Sequence, residues 1–335
     1  MTSPVAAVLD LPVADAELAR SVQTGLEAVE VRLREAVRHQ DQLADDASRH
    51  LVEAGGKRVR PMLALIAAQL GDPTRPEIVD AAVVCELTHL ASLYHDDVMD
   101  SAPLRRGVPA AHEVYGNTVA ILTGDLLFAR ASRVVANLGP DAVQIQARTF
   151  ERLCIGQFHE TVGPAPGEDP VEHYIQVLAD KTGSLIAASA RLGAMFAGCP
   201  PHVIDVLVTY GEKVGVAFQL ADDVIDLTST DSGKTSGTDL REGVPTMPGL
   251  LVRRAAEAGD AQAAAVVELL DGDLSTDEAL AAAVAALRAH PAMEQARQEA
   301  LRWAREAVEA LDDLPSGKAT EALRAFAGLV VDRTR

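Results

Sequence analysis

From Ala16 onward, apolar residues recur at three- and four-residue intervals, beginning with Leu18, Val22, Leu26, Val29, Val31, Leu33 and Val37. That spacing places them along one face of an α-helix. No segment alternates apolar and polar residues between turn signals, so no hairpin is predicted. The periodicity therefore restricts the chain to an all-α fold. Composition agrees: Ala, Leu and Val dominate while aromatic residues make up 3%, and Ala and Leu are strong helix formers. With 48% hydrophobic residues, a sizeable core is expected.

The first helix is expected to run until Gly55-Gly56-Lys57-Arg58-Val59-Arg60-Pro61 breaks the pattern with a basic turn. Further helices are expected near 62–70, 77–99, 111–115, 118–138, 141–162, 170–198 and 201–228. Others follow near 246–258, 260–271, 276–289, 291–312 and 317–332. A short basic loop should hold Arg105, Arg106 and Gly107, and a long polar loop should span 229–245. Residues 1–15 are mixed in character and expected to be disordered. No Pro/Gly/Ser linker divides the rest, which predicts one domain over 16–335 built as a single large helical bundle.

The formal net charge of −19 argues against nucleic acid as a partner, because phosphate backbones need a basic surface. Three widely spaced cysteines, Cys85, Cys154 and Cys199, fit neither a disulfide scaffold nor a metal-ligand pattern. They are expected to be reduced thiols in a cytoplasmic protein. No signal peptide is evident. No run of about 18 uncharged apolar residues suggests a membrane span.

Two acidic clusters interrupt the apolar pattern: Asp96-Asp97-Val98-Met99-Asp100 and Asp222-Asp223-Val224-Ile225-Asp226, 126 positions apart. In a helix, residues four apart share a face, so each cluster aims a pair of carboxylates the same way. Three carboxylates at the end of a helix repel one another, and at a C-terminus they also face the negative end of the macrodipole. A cation would relieve both. Oxygen ligands suit magnesium, which takes one or two protein carboxylates and completes its shell with water and substrate phosphate. A single acidic triplet is most simply a solvated patch; two matched ones on apolar helices are harder to explain that way.

These motifs resemble those of the trans-isoprenyl diphosphate synthases, the polyprenyl synthetase family. The first cluster is similar to that family's first aspartate-rich motif, and Phe218-Gln219-Leu220-Ala221-Asp222-Asp223-Val224-Ile225-Asp226 to its second. The Gly55 to Pro61 turn, Lys181-Thr182-Gly183, and Gly233-Lys234 with Asp239 match further motifs in the family's order. One departure stands out: Gly243-Val244-Pro245-Thr246 replaces a Gly-Lys-Pro-Thr context common in relatives, which puts one diphosphate contact in doubt.

The resemblance implies the isoprenoid-synthase fold, a helical bundle around a central cavity, acting as a homodimer. It implies a prenyltransferase that condenses isopentenyl diphosphate with an allylic diphosphate, head to tail, and hands its product to membrane enzymes. It further implies roughly three magnesium ions per site, held by Asp96, Asp97, Asp100, Asp222, Asp223 and Asp226. Lys181, Thr182 and Gln219 would lie near the allylic cation. Gly56, Lys57, Arg60, His89 and Arg106 would form a metal-free site for isopentenyl diphosphate. Arg105 and Lys234 would contact the allylic diphosphate. Taken alone, His89 reads as a satisfied core histidine and the basic runs as surface charge.

Product length in the family follows the depth of an apolar tunnel one and two turns upstream of the first cluster, at about 5.4 Å per turn. Here Ser92, Ala91 and Thr88 are small, as is Ser132 on the neighbouring helix. Small residues over these turns predict, by the resemblance, a long chain, on the order of forty to fifty carbons, as for menaquinone and other quinone side chains. Phe128, Leu127 or Leu93 closing the tunnel early would instead give a geranylgeranyl or farnesyl product. A non-catalytic subunit of a heteromeric synthase should have lost aspartates or basic residues, and a terpene cyclase should lack the Gly55 to Pro61 motif. Both sets are present.

Overall fold

The computed structural model describes residues 15–228 and 236–332, the side chain of Asp332 excepted. Sixteen α-helices lie among them. α1 (Ala16–Val37) starts at Asp15, whose carboxylate accepts from the Glu17 and Leu18 N–H groups, and it buries the expected stripe from Leu18 to Val37. The first departure from expectation follows. The helix stops at Arg38, and α2 (Gln42–Glu53) begins afresh with Asp41 as its N-cap. Asp41 accepts from the Ala44 N–H at 2.9 Å, so a local capping preference overrides continuous periodicity.

α3 (Val59–Ala68) leads into α4 (Glu77–Met99). α4 is apolar almost all round, and α1, α3, α6 (Asn117–Ala136) and α9 (Ser184–Phe196) all pack on it. A helix of that composition must be a core element. Small residues allow the close approach: a Cβ on Gly193 would stand 2.1 Å from the Ala64 carbonyl oxygen. Tyr94 pins α2 to α4, its hydroxyl donating to the Ala47 carbonyl at 2.5 Å and accepting from the Leu51 N–H at 3.3 Å.

The second departure is a small hairpin where a loop was expected. β1 (Leu104–Arg105) and β2 (Val108–Pro109) pair antiparallel. The connecting residues Arg106 and Gly107 have φ of 56° and 79°, and two positive values define the two-residue turn that suits a twisted hairpin. α5 (Ala111–Tyr115) follows, then α6 and α7 (Pro140–Val162).

The third departure splits the helix expected over 170–198. α8 (Pro170–Leu178) passes into a π-turn at Ala179–Gly183, and α9 resumes beyond it. A Cβ on Gly183 would lie 3.1 Å from the Glu212 carbonyl oxygen of α10 (Pro201–Thr228), so the turn sits close against that helix. Within the expected 229–245 loop, Thr238–Glu242 forms α11. The remaining helices are α12 (Met247–Glu257), α13 (Ala261–Leu270), α14 (Asp277–Ala289), α15 (Pro291–Ala310) and α16 (Lys318–Asp332).

The chain divides into two compact units. Among the described residues, the first comprises 15–152, 184–211 and 310–326, and the second 153–183, 212–228, 236–309 and 327–332. Among the described residues, no helix is long and apolar enough to cross a membrane.

Candidate functional site

In the first unit, the acidic cluster closes the C-terminal end of α4, and a basic group gathers about His89, upstream on the same helix. Asp96 is partly exposed, Asp100 exposed, and Asp97 wholly buried. Asp97 Oδ1 accepts from Arg105 Nε and Nη2 of the hairpin, each at 2.6 Å, while Oδ2 is buried without a hydrogen-bond partner among the described residues. Arg105 thus pairs with the cluster's own buried carboxylate through two of its nitrogens.

The basic group collects Arg58, Arg60, His89 and Arg106. Arg60 Nε is sealed from solvent and bonds nothing among the described residues. Burial lowers the Arg60 pKa to about 10, with the charge of Arg106 adding to the effect. Burial also holds the His89 imidazole well below its ordinary value, and the guanidiniums of Arg60, Arg106, Arg105 and Arg58 push the same way. The ring is therefore neutral near pH 7 and lies among cations. Two features fix Arg106: its Nη1 donates to the Leu51 carbonyl at 2.9 Å, and also to that of Gly55. A Cβ on Gly56 would meet Arg106 Cζ at 2.8 Å. Gly56 has φ of 141° as well, so both space and backbone demand glycine there. Lys57 is exposed on this turn.

The residues upstream of the cluster are small and largely buried. Thr88 and Ala91 are buried, and Ser92 is partly exposed. Thr88 and Ser92 return their hydroxyls to the backbone, donating to the Val84 and His89 carbonyls. Gly124 of α6 lies close above Ala91, where a Cβ would be 3.1 Å from the Ala91 carbonyl oxygen. Phe128 packs between His95 and Phe150, with ring centroids at 5.8 and 4.0 Å, and Leu127 is buried. Ser132 does not join this group; it is exposed on α6.

In the second unit, the acidic cluster lies near the end of α10. Asp222 and Asp226 are partly exposed, whereas Asp223 is buried. Asp223 Oδ2 accepts from the Tyr174 hydroxyl at 2.8 Å and the Met247 N–H at 2.9 Å. Burial pushes the Asp223 carboxyl up to about 8, with the charges of Asp239 and Asp222 adding to the rise, against the pull of the two hydrogen bonds. The π-turn presents Lys181 and Thr182. Lys181 is paired with Glu160 of α7, and a Cβ on Gly156 would collide with its chain at 2.8 Å. Thr182 Oγ1 donates to Gln219 Oε1 at 3.4 Å, so Thr182 and Gln219 are adjacent as their motifs imply. Lys234 lies outside the described residues.

Among the described residues, no three His, Cys, Asp or Glu side chains converge into a ready metal cage. The donor set still fits magnesium: each cluster offers hard oxygen ligands in a pair four residues apart, and magnesium normally completes its shell with water and substrate phosphate. The buried, unsatisfied Oδ2 of Asp97 adds a further acceptor.

Sequence reasoning missed Glu86, Glu30, Arg58, Glu160 and Tyr174. Glu86 left one signal, a lone acid in the apolar body of α4 three residues before His89. Tyr174 left none.

Comparison with known proteins follows the same lines. Residues 41–287 match the family described as polyprenyl synthetase. The chain is 43% identical to the nonaprenyl diphosphate synthase of Mycobacterium tuberculosis, covering 99% of both chains. It is similar in structure to the geranylgeranyl pyrophosphate synthase of Corynebacterium glutamicum complexed with calcium and isoprenyl diphosphate, at TM-score 0.85 and 42% identity, covering 96% of this chain and 98% of that one. The decaprenyl diphosphate synthase of Rhodobacter capsulatus aligns at TM-score 0.85 and 31% identity, covering 95% and 99%. The all-α isoprenoid-synthase fold of these neighbours is the fold of this chain.

Proposed function

This chain belongs to the polyprenyl synthetase family, and from that premise we propose that it is the prenyltransferase that condenses isopentenyl diphosphate head to tail with an allylic diphosphate to build a long-chain all-trans-polyprenyl diphosphate. The observation that carries the reading lies on α4. The helix ends in the Asp96–Asp100 carboxylates, and His89 stands seven residues earlier among guanidiniums. That is two turns, or about 10 Å, along one face. One helix thus offers two different chemistries for gripping a diphosphate, as a reaction between two diphosphates requires.

Asp96, Asp100 and Asp222 would bind magnesium directly, with Asp97, Asp223 and Asp226 acting directly or through bound water. Magnesium supplies the Lewis-acid charge that makes diphosphate a competent leaving group. Lys57, Arg60, His89 and Arg106 hold isopentenyl diphosphate without metal, with Gly56 leaving room for Arg106; arginine forks suit phosphate oxygens. As the allylic carbon–oxygen bond ionises, oxygens of Thr182 and Gln219 face the cation, and Lys181 is held nearby by Glu160. The isopentenyl double bond attacks that cation, and the proton then lost passes to the departing diphosphate. No side-chain base is required.

The long-chain reading is supported by the small, buried Thr88 and Ala91 with Ser92, and by the nonaprenyl and decaprenyl synthases among the relatives. Replacing Ala91 by Phe should shorten the product by several isoprene units, read by sizing dephosphorylated products; an unchanged length would remove Ala91 from the wall. A quinone side chain is the proposed destination. The enzyme is proposed to act as one domain over 16–335, in the cytoplasm, and as a homodimer. The exposed Val114, Ile121 and Leu122 of α5 and α6 offer an apolar face for a second copy, which would also cover Ser132.

Incubating pure protein with labelled isopentenyl diphosphate, magnesium and each allylic primer in turn tests the reading. Long products support it. A twenty-carbon end product would replace the long-chain assignment, and no incorporation with any primer would refute the enzyme.

A further inference from the structure

Glu86 belongs to no motif, yet the basic group is built around it. It lies inside α4, buried, one turn before His89. Its Oε1 accepts from Arg58 Nη1 at 2.9 Å and stands 3.8 Å from Arg106 Nη2. Arg58 is buried too. Its Nε pairs with Glu30 of α1, and Nη2 and Nη1 donate to the Val52 and Gly55 carbonyls, each at 3.2 Å. Arg106 donates to the Gly55 carbonyl as well. Two guanidiniums therefore clasp one peptide oxygen, and Glu86 lies beneath both.

The backbone shows how tightly this arrangement is specified. Among the described residues, three non-glycine residues have positive φ: Arg58 at 48°, Ser101 at 51° and Arg106 at 56°. Two of these three are the partners of Glu86. Left-handed backbone is costly for a side chain with a Cβ and persists where surroundings impose it. Burial opposes the charge on Arg58, yet the carboxylates of Glu86 and Glu30 outweigh it and keep its pKa above the ordinary value. Burial lowers that of Arg106 despite Glu86, with Arg58 and Arg105 adding to the fall.

We propose that Glu86 is a positioning residue for isopentenyl diphosphate: it does not touch the substrate, and it holds Arg106 and the Gly55–Arg58 turn in the arrangement that binds it. This rests on the reading that Lys57, Arg60, His89 and Arg106 take that diphosphate. Arg58 belongs to the same device. Its fork serves two carboxylates and two carbonyls at once, which an ammonium cannot do.

Glu86→Gln separates this role from simple charge compensation because the two predict opposite signs. A carboxylate near a diphosphate repels it, so removing the charge alone should tighten binding. If Glu86 positions the guanidiniums, the variant should bind isopentenyl diphosphate about tenfold more weakly, read by calorimetry without metal. In turnover, KM for isopentenyl diphosphate should rise about as much, while kcat and KM for the allylic diphosphate stay within about twofold. Arg58→Lys, which keeps the charge and loses the fork, should move the same constants in the same direction. Should Glu86→Gln not fold, as judged by circular dichroism, Arg58→Lys decides the question in the same way. A folded variant that binds isopentenyl diphosphate as well as wild type, or better, overturns the proposal. Wild-type protein that fails to bind it would overturn the underlying reading of the basic site, and this proposal with it.

Discussion

Asp97 in the first cluster and Asp223 in the second occupy the same position of nearly identical motifs, and each is the buried member of its triplet. Their surroundings differ in kind. Asp97 is held by the guanidinium of Arg105. Asp223 is held by a phenol hydroxyl and a backbone N–H, both neutral, and burial pushes its carboxyl up to about 8. The first cluster balances its inner carboxylate with a counter-charge on one oxygen; the second holds its own with neutral hydrogen-bond donors. The partially exposed members, Asp96 and Asp222, are alike in both. The comparison separates a shared outward task from two inward solutions to burying a carboxylate.

The shared task gives the largest expected effect. Asp96→Ala and Asp222→Ala should each lower kcat by roughly a hundredfold to a thousandfold, the range seen when one group that stabilises developing negative charge is removed. Steady-state rates at saturating magnesium check this. Equal losses support the parallel, and a loss confined to one cluster breaks it.

The inward difference should appear in stability. Asp97→Asn removes the counter-charge of Arg105 and should cost about 2 kcal/mol, a value kept modest because Arg105 is partly solvated. Asp223→Asn keeps an acceptor for both neutral donors and should cost about 1 kcal/mol or less. Urea unfolding without metal measures both, and a larger cost for Asp223→Asn would reverse the assignment. Smaller again, Tyr174→Phe should cost about 0.5 kcal/mol and leave the Met247 bond to Asp223 in place. No measurable change would mean the phenol contributes nothing to holding that carboxylate.

The same pair shows how far sequence could reach. Both clusters and the basic motifs were legible because their chemistry is written in contiguous residues at helical spacing. Arg105 was visible as a basic residue eight positions after Asp97, although its partner was not. Tyr174 and Met247 lie 49 and 24 positions from Asp223, and nothing local marks either. The all-α class followed from periodicity alone. Its interruptions did not: the break before α2 depends on the Asp41 cap, the hairpin on two positive φ values at Arg106 and Gly107, and the π-turn on close packing against α10. Glu86 illustrates the same limit, since a lone acid in an apolar helix signals something without saying what it holds.

The central claim is a division of labour, with carboxylates and magnesium for the allylic diphosphate and a metal-free basic group for isopentenyl diphosphate. Calorimetry on the wild-type protein tests it directly, titrating isopentenyl diphosphate and, separately, an allylic diphosphate analogue that cannot ionise, each with magnesium and with a chelator. The account predicts that the chelator abolishes binding of the allylic analogue and leaves isopentenyl diphosphate bound as before. Equal dependence of both ligands on magnesium, or of neither, would contradict it.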